Sequence, residues 1–78
     1  MVELNRISFD PNIMGGRACI RGMRVTVSLV VNLVANGMTI KEIVKDYPYL
    51  EPEDIQQALR YAALLTEENV YALEPAAA

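Results

Sequence analysis

The chain contains no histidine, so the commonest general base and the commonest metal-binding side chain are both missing. That absence argues against an enzyme, and no catalytic residue, metal site or cofactor is expected. A single cysteine, Cys19, excludes an internal disulfide. Arg17 and Arg21 flank it, yet without a histidine partner it reads as a structural thiol in an apolar position. No apolar run approaches the length of a membrane span: the longest, Leu29 to Ala35, is interrupted by Asn32. Nothing resembles a secretory signal, and no internal repeat is visible. These absences together predict a soluble, cytoplasmic protein.

What is present begins with apolar content. The chain has 78 residues, 53% of them hydrophobic. A monomer of such size buries only around 60% of the surface its unfolded chain exposes. The excess of apolar residues predicts a homodimer, or an obligate partner that covers them. Charge is distributed unevenly. Arg6, Arg17, Arg21, Arg24, Lys41 and Lys45 outweigh Glu3, Asp10 and Glu42 in the first 45 residues. Beyond them Arg60 stands alone against Asp46, Glu51, Glu53, Asp54, Glu67, Glu68 and Glu74. A basic front and an acidic back suit two kinds of partner, pairing of one copy with another, or simply a solvated acidic helix.

Periodicity divides the chain. Residues 1–27 read as an extended arm. Arg6-Ile7-Ser8-Phe9 alternates polar with apolar, and Asp10-Pro11-Asn12 supplies turn chemistry. Ala18-Cys19-Ile20 and Met23 to Val27 are β-prone runs separated by Arg21-Gly22, which suggests a small hairpin. From Ser28 the period becomes helical. Ser28, Asn32 and Asn36 form a polar stripe opposite Leu29, Val30, Leu33 and Val34, and Gly37 is placed for a left-handed cap. The valines leave a strand open as an alternative there. Thr39 with Glu42 forms a capping box, Ile40, Ile43, Val44 and Tyr47 mark an apolar face, and Pro48 closes the helix. Pro52 suits the first position of a third helix, with Ile55, Ala58, Leu59 and Ala62 inward and Glu53, Gln56, Gln57 and Arg60 outward. Glu53 and Asp54 complement the positive end of that helix. The expected fold is mainly α: a three-helix, helix-turn-helix bundle over 28–73 with a short N-terminal β-arm or hairpin over 1–27, and a frayed tail over 74–78.

Ile7, Asp10-Pro11, Gly16-Arg17, Ile20, Gly22, Arg24-Val25, Val27, Gly37, Glu42-Ile43, Tyr47-Pro48, Leu50, Glu53-Asp54-Ile55 and Ala58 to Ala62 resemble domain-of-unknown-function family 433. The resemblance covers roughly residues 6–65. It implies a homeodomain-like, winged-helix-related fold and an antitoxin-like role beside a small PIN-like ribonuclease toxin. The chain departs from the family pattern at Ala18 and Thr26, where proline is usual, and at Met23, where threonine is. Glu51 replaces the usual threonine or serine cap of the last helix, a weaker cap by its geometry.

Three functional readings follow. In the first, the chain is an antitoxin-like module that neutralises the ribonuclease. An arginine from the arm enters a metal-binding carboxylate cluster of the toxin, the candidates being Arg17, Arg21 and Arg24. Against this stands the plain reading of the three as decoration on an exposed hairpin. The acidic last helix could instead mimic RNA on the toxin. In the second, the chain is a helix-turn-helix transcriptional regulator without a toxin. Gln56, Gln57 and Arg60 then face base edges, and Lys41 and Lys45, with Arg6 and the arm arginines, contact phosphates. Glu53 and Asp54 oppose such entry. The third is an oligomeric scaffold module with neither activity. Gly15-Gly16-Arg17 could cradle a phosphate but lacks the spacing of any nucleotide-binding loop.

Overall fold

Residues 4–67 are described in this computed structural model. The tail expected over 74–78, and residues 68–73 before it, lie outside them. In chain order there are a strand β1 (Ile7–Ser8), a 3-10 turn (Met14–Gly16), a strand β2 (Cys19–Ile20), and three helices. The helices are α1 (Val27–Ala35), α2 (Ile40–Asp46) and α3 (Pro52–Leu65). The mainly helical architecture with a short two-stranded hairpin is the one the periodicity predicts.

The arm is organised by turns. Asp10 accepts from the Asn12 amide through its side chain (2.9 Å) and from the Ile13 amide through its carbonyl (2.9 Å), reversing the chain after Phe9. The strands then pair antiparallel, with Ile7 opposite Ile20 and Ser8 opposite Cys19. At the end of β2, Arg21 and Gly22 both take positive φ (45° and 71°), and the Met23 amide closes onto the Ile20 carbonyl at 2.8 Å. Positive φ at both central residues matches the right-handed twist of flanking strands. The Ser8 hydroxyl donates to the Cys19 carbonyl (3.3 Å) and accepts from the Gly22 amide (2.8 Å), fastening this turn to β1.

The expected hairpin across Arg21-Gly22 is present but short: the Ile20 amide donates to the Val25 carbonyl (2.9 Å), the Val27 amide to the Ala18 carbonyl (2.9 Å), and Cys19 bridges Thr26. β2 also pairs with β1 on its other edge, and the Met23 to Val27 run forms no extended strand of its own. The reason is local. Thr26 leaves the strand to cap α1, its hydroxyl accepting from the Leu29 amide at 3.1 Å, so the helix starts at Val27 rather than Ser28.

α1 ends as its glycine demands. The Gly37 amide (φ 97°) reaches the Val34 carbonyl and the Met38 amide reaches Leu33, the paired bonds of a Schellman cap. Thr39 and Glu42 satisfy each other's amides at 3.1 and 2.8 Å in the expected capping box. Thr39→Ala is expected to cost about 1 kcal/mol, measurable as a lower urea midpoint.

Helix α3 packs against both α1 and α2. Ile20, Val30, Ile43, Leu50, Ile55 and Ala58 are buried to 1% exposure or less and form one cluster. The core therefore draws on every element from β2 onward, and the arm is built into it. Two helix faces depart from the pattern. Leu29, expected inward, is exposed, and Gln57, expected outward, is buried.

Candidate functional site

Helix α3 has a polar buried face that apolar periodicity does not reveal. Asp54, Gln57 and Tyr61 stand at i, i+3 and i+7, and so share one side of the helix. The arm lies along it. Gln57 accepts from the Arg6 amide (2.9 Å) and donates to the Asn5 side chain (3.0 Å). One step further, the Phe9 ring meets Tyr61 with centroids 5.8 Å apart.

Asp54 is the centre of this face and is fully buried. The register that sets Ile7 against Ile20 continues to Arg6 and Arg21, joined by the Arg21 amide to the Arg6 carbonyl at 2.9 Å. Two like charges directly opposite on a ladder repel. Both guanidinium groups turn onto the single carboxylate beneath them. Arg21 is bidentate, with Nε 3.0 Å from Oδ1 and Nη2 2.8 Å from Oδ2, and it also donates to the Tyr49 carbonyl at 2.8 Å. Arg6 Nη1 sits 3.0 Å from Oδ1 and also pairs with Glu51, and its Nη2 is 3.6 Å from Glu53. The Glu51 amide donates to Asp54 Oδ2 at 2.8 Å.

Burial alone would raise the Asp54 pKa. The Arg21 fork, the Glu51 amide and Arg6 together outweigh it and hold the carboxyl below its ordinary value. The Arg6 guanidinium is held more firmly protonated by Glu51 and Asp54, and that of Arg21 by Asp54. At the start of α3 the side-chain cap runs backward. Asp54 reaches back to the Glu51 amide, and the Asp54 amide meets the Glu51 carbonyl at 2.9 Å.

The expected site residues therefore separate. Arg21 is committed to Asp54, which corrects its place among side chains available to a partner. Arg6 is likewise committed and is withdrawn as a phosphate contact. Gln57 is held by the arm and is withdrawn as a base reader. Asp54, expected to oppose nucleic acid, has its charge compensated inside the fold. Arg17, Arg24, Lys41, Lys45, Gln56 and Arg60 are exposed, and none of these cations forms an ion pair among the described residues. Cys19 is buried and forms no disulfide. No cluster of three or more His, Cys, Asp or Glu side chains that could hold a metal occurs among the described residues. None of the described helices is long and apolar enough to cross a membrane.

A second feature lies toward the C-terminal end of the same helix. Arg17, Ala18, Val31, Tyr61, Ala62 and Leu65 are among the residues around an open, mainly apolar groove of about 530 Å³ between α1 and α3.

Comparison with known proteins places this arrangement. The family described as "Protein of unknown function (DUF433)" matches residues 7–62, nearly the whole span from β1 through most of α3. The chain belongs to this family. A DUF433 member protein from Anabaena variabilis ATCC 29413, known from a crystal structure, is 32% identical. It superposes with a TM-score of 0.71 over 87% of this chain and 66% of its own. The uncharacterized protein y4eO of Sinorhizobium fredii (strain NBRC 101917 / NGR234) is 36% identical over 56 residues. Those residues are 72% of this DUF433 chain but only 25% of y4eO, so the chain spans a quarter of that relative's length.

Proposed function

We propose that this DUF433 chain is a non-enzymatic, antitoxin-like module, acting as a homodimer in the cytoplasm, that binds and silences a small PIN-like ribonuclease. The observation that carries the reading is the state of the arm. Arg24 is exposed, unpaired among the described residues, and two positions beyond a turn fastened to β1 and, through Arg21, to α3. A guanidinium on a rigid support loses little freedom when it enters a carboxylate cluster, and its fork suits carboxylate oxygens. Of the three arm arginines, Arg24 is the one free to insert, since Arg21 is structural and Arg17 faces the groove.

The test is inhibition of a small PIN-like ribonuclease mixed with the purified chain. Arg24→Glu is expected to weaken inhibition at least about 100-fold, by placing like charge against the carboxylates. Arg24→Lys should recover only part of the loss. Unchanged inhibition by folded Arg24→Glu protein would exclude insertion of this side chain. Arg21→Glu is not a usable probe, because it would disrupt the contact that holds the arm.

A second reading, binding to operator DNA, gains from one observation. Asp54 is buried and paired, so the start of α3 presents less negative charge than its sequence suggests. Gln56 and Arg60 on α3, with Lys41 and Lys45 on α2, would make the contacts. Affinity for the upstream DNA that falls steeply with salt, and falls further in Arg60→Ala, is the expected signature.

A further inference from the structure

We propose that the groove between α1 and α3 is the surface through which two copies of this chain pair, with Leu65 of each copy seated in the groove of the other and Arg17 of each facing Glu67 of the other. The assignment rests on the homodimer reading above and specifies its face.

The argument starts from what the groove lacks and what the same surface offers. Its apolar lining includes Ala18, Val31, Tyr61 and Ala62, with Thr26, Ser28 and Asn32 as polar members. At its edge Leu65 is 67% exposed and Leu64 45%, the largest apolar exposure on α3. A hollow and a protruding leucine pair on one surface are complementary to each other, which is the requirement of a two-fold contact. Charge agrees with shape. Arg17 stands in the groove lining, exposed and unpaired among the described residues. Glu67 is exposed two residues beyond Leu65. A second copy thus brings an apolar knob and a carboxylate together, in the order that a groove with a cationic rim receives. Arg24, Lys41, Lys45, Gln56 and Arg60 are not among the residues around the groove.

Charge reversal tests this directly. The wild-type chain should sediment as a dimer at about 100 μM, with Arg17→Glu and Glu67→Arg each raising the dimer dissociation constant at least about tenfold. In a two-fold contact, mixing the two reversed variants restores both ion pairs. The equimolar mixture should therefore dimerise as tightly as wild type, while each variant alone stays largely monomeric. Leu65→Lys, at an exposed position that does not test folding, should abolish pairing in every combination. A wild-type monomer at that concentration would overturn both this assignment and the homodimer reading. A wild-type dimer indifferent to Arg17→Glu and Leu65→Lys, or no rescue on mixing, would overturn the groove alone. Variants that change stability but not mass would also overturn it, because the groove would then be filled from within the same chain.

Discussion

Asp54→Asn is expected to lower the stability of this domain by about 3 kcal/mol at neutral pH, a large part of what a chain of this length possesses. The substitution keeps the volume and much of the hydrogen bonding. It removes the only carboxylate that Arg6 and Arg21 share, and the only one paired with Arg21 among the described residues. What remains is a buried neutral group beneath two cations whose positions are fixed by the ladder. The melting temperature should fall by more than about 10 °C, followed by circular dichroism. Acid provides an independent check with a defined sign. The folded carboxyl titrates below its ordinary range, whereas the unfolded chain takes up that proton at about pH 4. Between those two points the unfolded state binds more protons, so stability declines as pH falls. The contribution is complete above about pH 5 and disappears as pH passes below the folded pKa. Asp54→Asn should flatten that part of the wild-type curve; an unchanged acid limb would show that Asp54 carries no net stabilisation.

How much of this was legible in the sequence follows the range of the interactions. The Thr39–Glu42 box and the Gly37 cap involve residues a few positions apart, and local pattern predicts both. The helix faces were legible where apolar periodicity is the cause of burial, as at Ile43, Ile55 and Ala58. Asp54 was not. Two adjacent acids at a helix start have a sufficient local explanation in the macrodipole, and its partners lie 33 and 48 residues away. Gln57 was misplaced for the same reason, since a polar residue is buried only where another segment brings it partners, here Asn5 and the Arg6 amide. A sequence signal did exist. Arg6 and Arg21 each border a β-prone pair that an antiparallel register would set opposite, and such a pair of cations calls for an anion. The arm arginines were legible as a group but not as individuals, because only the register separates Arg21, which is consumed, from Arg24, which is exposed.

Ile20→Ala is expected to cost about 3–4 kcal/mol and leave the helices themselves insecure. Ile20 belongs to a strand of two residues in a segment that reads as an arm, and an arm in the usual sense could be trimmed without harm to what it hangs from. Here the side chain is fully buried and belongs to the same cluster as Val30 of α1, Ile43 of α2 and Ile55 of α3. Removing three of its carbons opens a cavity at the centre of the only core among the described residues, and a domain this small has little surface elsewhere to collapse into it. The helical signal should therefore melt together with the arm, at a urea midpoint far below wild type, in one transition. Leu65→Ala, which removes the same three carbons from an exposed site, should change the stability of the monomer by no more than about 0.5 kcal/mol. If instead Ile20→Ala left the helical transition in place, the arm would be an appendage that could detach to wrap a partner. The burial of Ile20 and the two arginines locked on Asp54 argue for the opposite: the hairpin is held before any partner arrives, and Arg24 is presented from a fixed surface.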